Sequence, residues 1–287
     1  IINKELSDKW SLENGMSLNV MEAFNLYGNQ KISQLSKENI KTIVDNSYSL
    51  GLTRMRLTGG EPLIHPQIIE ICQMLSEDYG LKVGINTNCI EIEKLLYMIN
   101  QGWIDRVIVG LDYFDGIISK KSSIGKSSET ILNNILKIKE LGCDVSISNV
   151  YDNDYDNIRK LVQWCIDNEV RIKIIELIKN EIKPVSDNNY LEMRDRLINE
   201  FNFDVRIDEL EEYNCYVNGK RIITFFPSLC RLRRCDLCKK IHLRVTSEGK
   251  IKQCIHYDNN DKSVIGKDVR KNILSEITRE VDYHMGA

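Results

Sequence analysis

No run of about 18 apolar residues occurs in the chain, which excludes a membrane-spanning helix. The stretch from Ile1 to Trp10 lacks the basic and then apolar layout of a signal peptide, so a soluble, cytoplasmic protein is expected. Net charge is small as well. The 39 basic and 42 acidic residues are interleaved and leave a formal charge of −3, so no global field points to nucleic acid or to an anionic membrane, and neither is an expected partner. Internal repeats and low-complexity tracts are absent. What the chain does have is bulk: 287 residues, 42% of them hydrophobic, bury a sizeable core and hold one large domain or a domain with an appendage. Its nine cysteines, in a reducing compartment, read as buried thiols or metal ligands rather than disulfides. Cys72, Cys89, Cys143, Cys165 and Cys215 are scattered, whereas Cys230, Cys235, Cys238 and Cys254 are clustered.

From Met16 onward, short β-branched runs alternate with longer segments of helical periodicity, the pattern of repeated βα units around a parallel sheet. Six strands are expected, at Met16–Val20, Thr53–Thr58, Lys82–Asn86, Asp105–Leu111, Asp144–Val150 and Arg171–Glu176, with helical stretches such as Ile131–Leu141 between them. Six units make an α/β fold with an open, partial (β/α)6 barrel. The rhythm then changes to a helix near Asn189–Glu200 and a hairpin around Asn218-Gly219, residues that tolerate the positive φ of a type I′ turn. A second hairpin is expected from Leu243–Thr246 and Lys250–Ile255 around Ser247-Glu248-Gly249. The boundary is placed near Pro184, giving a barrel over residues 1–184 and a smaller domain over 185–287.

The most informative stretch is Arg56-Leu57-Thr58-Gly59-Gly60-Glu61-Pro62-Leu63, where a buried strand runs into two glycines, a carboxylate and a proline. Two glycines permit close backbone approach to a ligand, and a glutamate held by the following proline accepts charge-assisted hydrogen bonds from an ammonium group. A bare Gly-Gly-Glu fits a tight turn with a solvated glutamate equally well. The whole octet, however, resembles the segment of the radical S-adenosylmethionine (SAM) superfamily that binds the methionine amino group, and in particular the GTP cyclase family of molybdopterin biosynthesis. Similar segments stand at the carboxyl ends of the later strands, where β/α barrels gather their ligands: Thr87-Asn88, Gly110-Leu111-Asp112, Asn149 and Ile175-Glu176. The family has serine where Gly110 stands and glycine where Cys89 stands.

The resemblance implies a catalytic [4Fe-4S] cluster held by a C-x-x-x-C-x-x-C loop after the first strand, three thiolates leaving one iron for SAM. This sequence contains no such triplet. In one reading the chain is a degenerate member with Glu13, Ser17 and Val20 at the cysteine positions. In the other, Met16-Ser17-Leu18-Asn19-Val20 alternates as the first strand, Met21-Glu22 resembles the pair just after the third cysteine of the family, and the loop to Leu35-Ser36 and the first helix has lost roughly ten residues between Val20 and Met21. The second reading is preferred because nothing upstream alternates like a strand.

Cys235-Asp236-Leu237-Cys238 followed by a hairpin that returns Cys254 is a strong metal signal, since a C-x-x-C turn closes on one metal and the hairpin arm brings a third thiolate. Cys230 offers a fourth. The same set suits a zinc ribbon. By resemblance it is the auxiliary iron–sulfur cluster of the cyclase family and of the wider twitch and SPASM domains, with two residues more between Cys238 and Cys254 than the cyclases have. His242 and His256 flank the set and read as strand-surface residues. Arg231, Arg233, Arg234, Lys239, Lys240 and Arg244 crowd here, of which Arg244 matches a family arginine that holds the nucleotide.

The resemblance covers nearly the whole chain. It implies an enzyme that generates a 5′-deoxyadenosyl radical from SAM and modifies a nucleotide-like small molecule or a peptide held between two [4Fe-4S] clusters, with a reductant such as flavodoxin or ferredoxin. Glu61 with Gly59 and Gly60 would orient SAM, and Thr87 and Asn149 would line its pocket. The alternative is a cluster-less SAM- or metal-binding relic that acts as a sensor or partner subunit.

Overall fold

The computed structural model describes residues 16–21, 34–114, 128–177, 188–228, 232, 243–252 and 262–278. Along the chain the first elements are β1 (Met16–Met21), α1 (Lys37–Tyr48), β2 (Arg54–Gly59), α2 (Ile68–Gln73), β3 (Lys82–Thr87), α3 (Ile92–Asn100) and β4 (Arg106–Gly110). There follow α4 (Ser128–Glu140), β5 (Asp144–Tyr151), α5 (Tyr155–Asp167), β6 (Arg171–Glu176), α6 (Asn188–Phe201), β7 (Asp204–Ile207), β8 (Tyr213–Val217) and β9 (Lys220–Phe226). The last are β10 (Leu243–Val245), β11 (Lys250–Lys252), β12 (Lys262–Ser263) and α7 (Val269–Thr278). All six expected barrel strands form, as does the hairpin of β10 and β11. The fold is mixed α/β with a parallel sheet, as the alternation of periods requires.

Two compact units result: residues 1–87, 91–107 and 235–287, and residues 88–90 and 108–234. The expected boundary at Pro184 lies outside the described residues. In the first unit the strands run in the order β12-β11-β10-β1-β2-β3. β1 pairs in parallel with β10 on one side and β2 on the other, and β2 pairs in parallel with β3. Its core is made by Leu18 and Val20 of β1, Leu57 of β2 and Ile85 of β3, together with Ile40, Ile43 and Val44 of α1 and Ile71 of α2, all fully buried. Each such side chain contributes roughly 1.5–3 kcal/mol. α1 starts where it does because Ser36 caps it, its hydroxyl accepting from the Asn39 N–H at 3.2 Å. Its buried residues at 40, 43, 44 and 47 form one helical stripe.

In the second unit β5, β6 and β9 are parallel neighbours, and β9, β8 and β7 continue as an antiparallel meander. Asn218 and Gly219 turn β8 into β9 with φ of +51° and +76°, the two positive values a type I′ turn needs. Asp154 caps α5 by accepting from the Asn157 N–H at 3.0 Å.

Candidate cofactor site

At the end of β2 the backbone passes through Gly59 at φ +143°, a region closed to L side chains, which is why a glycine stands there. Glu61 follows in extended conformation and caps a short 3₁₀ turn, Pro62–Ile64, with Oε1 accepting from the Leu63 N–H at 3.1 Å. The Thr87 hydroxyl, from the end of β3, donates to the same Oε1 at 2.7 Å. Glu61 is 8% exposed and Thr87 5%. The carboxylate is therefore not a solvated turn residue: it is buried and fixed in orientation by donors from two strand ends. Gly60, beside it, is exposed. The structure thus brings together Gly59, Gly60, Glu61 and Thr87 of the expected site, all within the first unit.

Asn149 belongs to the second unit and is 1% exposed in β5. Its Nδ2 donates to the carbonyls of Leu111 at 3.0 Å and Asp112 at 3.1 Å. Its Oδ1 is buried with no hydrogen-bond partner among the described residues. A buried acceptor left unmet costs about 1–3 kcal/mol, which leaves this atom open to a further donor. Asp112 accepts from the Val150 N–H at 3.2 Å, and burial pushes its carboxyl above the ordinary aspartate value. Cys89 has φ +60°, the left-handed conformation that explains why the family has glycine at this position. A Cβ at Gly110 meets nothing within 4 Å, so the serine of the family would fit.

Sequence reasoning gave no role to an arginine row on the first unit's sheet. Ser17 pairs with Arg56 on one side and Arg244 on the other, and Arg56 pairs with Gly84. A Cβ at Gly84 would lie 3.7 Å from the Arg106 carbonyl. In-register neighbours of a parallel sheet share a face, so Arg244, Arg56 and Arg106 form one row with small residues between them. Burial pushes the Arg56 guanidinium below its ordinary pKa, and Arg106, Arg244 and Arg54 push it the same way. The readable signal was arginine at both Arg54 and Arg56, two residues apart on one strand face. Asn86 lies on the same face of β3, two residues beyond Gly84, and its Oδ1 is also buried without a partner among the described residues.

Taken unit by unit, the acceptors suit groups that SAM carries: in the first a buried carboxylate suits its ammonium, and in the second an orphaned amide oxygen suits a hydroxyl or amino donor. They do not fit the catalytic cluster. Among the described residues no group of three or more His, Cys, Asp or Glu side chains could hold a metal. Cys72 and Cys165 are fully buried thiols pushed well above their ordinary pKa, and Cys215 is pushed up to about 12 by burial. Ser17 lies mid-strand and Val20 is fully buried in β1, neither in a loop. Cys230, Cys235, Cys238 and Cys254 lie outside the described residues, as do Glu13, His242 and His256.

Parallel strands that end in a glycine turn with a buried carboxylate define an α/β enzyme whose cofactor groups sit at strand ends. The chain belongs to the radical SAM superfamily, which residues 22–165 match. It is 25% identical over 251 residues to the probable GTP 3',8-cyclase of Methanococcus maripaludis, covering 84% of this chain and 83% of that protein. To the GTP 3',8-cyclase of Thermodesulfovibrio yellowstonii it is 27% identical over 264 residues, covering 86% and 78%. Among solved structures, Streptococcus suis SuiB bound to the precursor peptide SuiA superposes with a TM-score of 0.67 at 15% identity. That match covers 93% of this chain but 66% of SuiB, so the chain spans just under two thirds of it. SuiB bound to S-adenosylmethionine gives 0.65. The likeness to SuiB concerns the fold, the partial barrel of this superfamily. Membership makes the chain an enzyme of that class and implies SAM and a [4Fe-4S] cluster as cofactors. No helix among the described residues is long and apolar enough to cross a membrane.

Proposed function

We propose that the chain cleaves SAM reductively and uses the resulting radical on an anionic, nucleotide-like small molecule of the kind its GTP 3',8-cyclase relatives are named for. The arginine row carries this reading. β2 presents Arg56 in mid-strand and, three residues on, the turn that holds Glu61. A nucleoside triphosphate seated on guanidiniums gains charge-assisted, bidentate hydrogen bonds. A peptide without acidic side chains has no comparable need for that charge.

SAM, when bound, would supply one-electron radical chemistry toward the substrate, driven by an electron from a donor such as flavodoxin or ferredoxin. Glu61 holds the SAM ammonium, with Gly59 and Gly60 giving the backbone close approach, and Thr87 fixes the carboxylate. Asn149 offers its orphaned oxygen to the ligand. Cys235, Cys238 and Cys254 hold an auxiliary iron–sulfur cluster, with Cys230 as a fourth thiolate. The native polypeptide carries the catalytic cysteine triplet between Val20 and Met21, the last two residues of β1 here, and an intact mass equal to that of this sequence would refute that triplet. A cluster-less relic is the second reading, favoured by one observation: the first cysteine in the sequence is Cys72.

The test is anaerobic reconstitution with iron and sulfide, addition of dithionite and SAM, and quantification of 5′-deoxyadenosine. Wild type yields it. Glu61→Gln keeps an acceptor for Leu63 and Thr87 but loses the charge, and should bind SAM about tenfold to a hundredfold more weakly. A cluster-loaded wild type that yields none, with SAM still bound, selects the relic.

A further inference from the structure

We propose that His65, as a neutral imidazole, is a positioning residue that pins the SAM-binding turn to the start of α1. This rests on the reading that the Glu61 turn binds SAM. His65 closes the 3₁₀ turn that Glu61 opens, its backbone N–H donating to the Pro62 carbonyl at 3.0 Å. The side chain is 1% exposed, and both ring nitrogens are engaged. Nε2 lies 2.9 Å from the Leu35 carbonyl, and the Gln67 N–H points at Nδ1 at 3.1 Å. A carbonyl can only accept and an N–H only donate, so the proton sits on Nε2 and Nδ1 is bare. The residues it joins are themselves tied down. Leu35 donates its N–H to the Val20 carbonyl at the end of β1, at 3.0 Å, and the Lys37 N–H donates to Gln67 Oε1 at 3.3 Å. Through one imidazole the end of β1, the start of α1 and the turn that carries Glu61 are linked across 30 residues of chain.

Protonation would put a second N–H against the Gln67 N–H in a buried space, where two donors face each other with no acceptor. The charged group whose field reaches His65 is Glu70 of α2, which favours the protonated ring, while burial disfavours it and prevails, holding the imidazole below its usual pKa. Just before α1 the Leu35 carbonyl meets the ring, and from α3 Lys94 donates to the Leu63 carbonyl of the same turn at 3.2 Å. A folded-state pKa below the unfolded value means the pin is intact above about pH 6.5 and is lost as pH falls through the lower folded value.

The experiment is calorimetric titration of SAM into the anaerobically prepared protein between about pH 8 and about pH 5. It compares wild type, His65→Ala and His65→Gln, with circular dichroism to follow folding. In His65→Gln the position stays uncharged at every pH, because an amide N–H can reach the Leu35 carbonyl but the group takes no proton. His65→Gln should bind within about threefold of wild type at the high end and lose no more as pH falls, while wild type should weaken progressively relative to it as pH falls through the folded-state value. Glu61 and the SAM ammonium titrate in both proteins, so the difference between the two profiles reads His65. His65→Ala should bind about tenfold more weakly at every pH. Parallel profiles for wild type and His65→Gln overturn the proposal, and they do so even if His65→Ala fails to fold. A folded His65→Ala that matches wild type overturns it as well. A wild type that binds no SAM overturns instead the reading of the Glu61 turn, and His65 falls with it.

Discussion

Thr87 donates its hydroxyl to Oε1 of Glu61 at 2.7 Å, and the Leu63 N–H donates to the same oxygen at 3.1 Å. One oxygen of the carboxylate is thereby held by two donors, one from the end of β3 and one from the turn after β2, so the group is oriented before any ligand arrives. Preorganised groups of this kind contribute to affinity because the ligand need not order them. Thr87→Val removes the hydroxyl and keeps the shape. It should lower SAM affinity by about threefold to tenfold, the worth of one hydrogen bond, in a direct titration. Thr87→Ser should stay close to wild type. An unchanged affinity in Thr87→Val would show that the Thr87 hydroxyl is not needed to orient Glu61.

Gly59 tests the backbone rather than the side chains. Its φ of +143° is open to glycine and strained for every L residue, at a cost of order 1–3 kcal/mol. Gly59→Ala should unfold at a lower temperature by that amount of free energy. Because Glu61 lies two residues on, it should also weaken SAM binding more than the stability loss accounts for. Chemical denaturation and SAM titration on the same sample separate the two effects.

The strands were legible because their side chains alternate between core and sheet face, as Met55 and Leu57 do against Arg54, Arg56 and Thr58. The Glu61 turn was legible from the two glycines and the proline. Four features were not. The pairing of β10 beside β1 joins segments more than 200 residues apart, and no local period encodes a long-range register. The row of Arg244, Arg56 and Arg106 depends on that pairing, so it could not be read before the topology was known. His65 reads in sequence as an ordinary loop histidine before a proline, since its two partners, Leu35 and Gln67, are backbone groups and leave no trace in residue type. The left-handed conformation of Cys89 was hinted at only by its replacing a glycine of the family.

Asp112 gives a prediction in pH. Burial is the largest influence on its carboxyl and raises its pKa above 3.8, Asp152 adds to this, and the hydrogen bond from Val150 opposes it. A raised folded-state pKa means that the protonated acid suits the fold, so its contribution is fully present below pH 3.8 and is lost as pH rises through the folded value. At neutral pH the ionised group is a cost. Asp112→Asn keeps an oxygen for the Val150 N–H and removes the charge. It should unfold at a higher temperature than wild type at neutral pH, and the advantage should shrink as pH falls toward the ordinary aspartate range. Thermal unfolding across that range checks the slope, and a variant less stable at neutral pH would contradict it.

The cysteines near the carboxyl end make a prediction in metal content. If Cys235, Cys238 and Cys254 hold the auxiliary cluster proposed above, that cluster forms independently of one at the barrel. Replacing all three by Ala should remove about half the iron from anaerobically purified protein if two clusters are present. Loss of zinc with iron unchanged would identify a zinc ribbon instead.

Arg56 brings function and stability into opposition. It is half-buried in a row with Arg106 and Arg244, with Arg54 also near, and burial and the like charges depress its pKa together. Desolvating the Arg56 guanidinium costs free energy, and the neighbouring guanidiniums add repulsion. An anion placed on the row would neutralise several charges at once and offset that cost. Arg56→Met keeps the length of the side chain and removes the charge. In the absence of nucleotide it should be more stable than wild type by roughly 1 kcal/mol, the direction seen when buried charges give way to apolar groups of similar volume. In the presence of GTP the order should reverse. Wild type should gain thermal stability with rising GTP, and Arg56→Met should gain much less, because loss of one charge-assisted contact of about 1.5–3 kcal/mol weakens binding about tenfold to a hundredfold. Binding through the phosphates should also weaken steeply with salt in wild type and less so in the variant. Thermal unfolding of both proteins with and without GTP, at two salt concentrations, measures all of this in one series. A wild type whose unfolding temperature does not move with GTP, inorganic triphosphate or any nucleoside triphosphate would remove the anionic substrate from the reading, while leaving the SAM turn untouched.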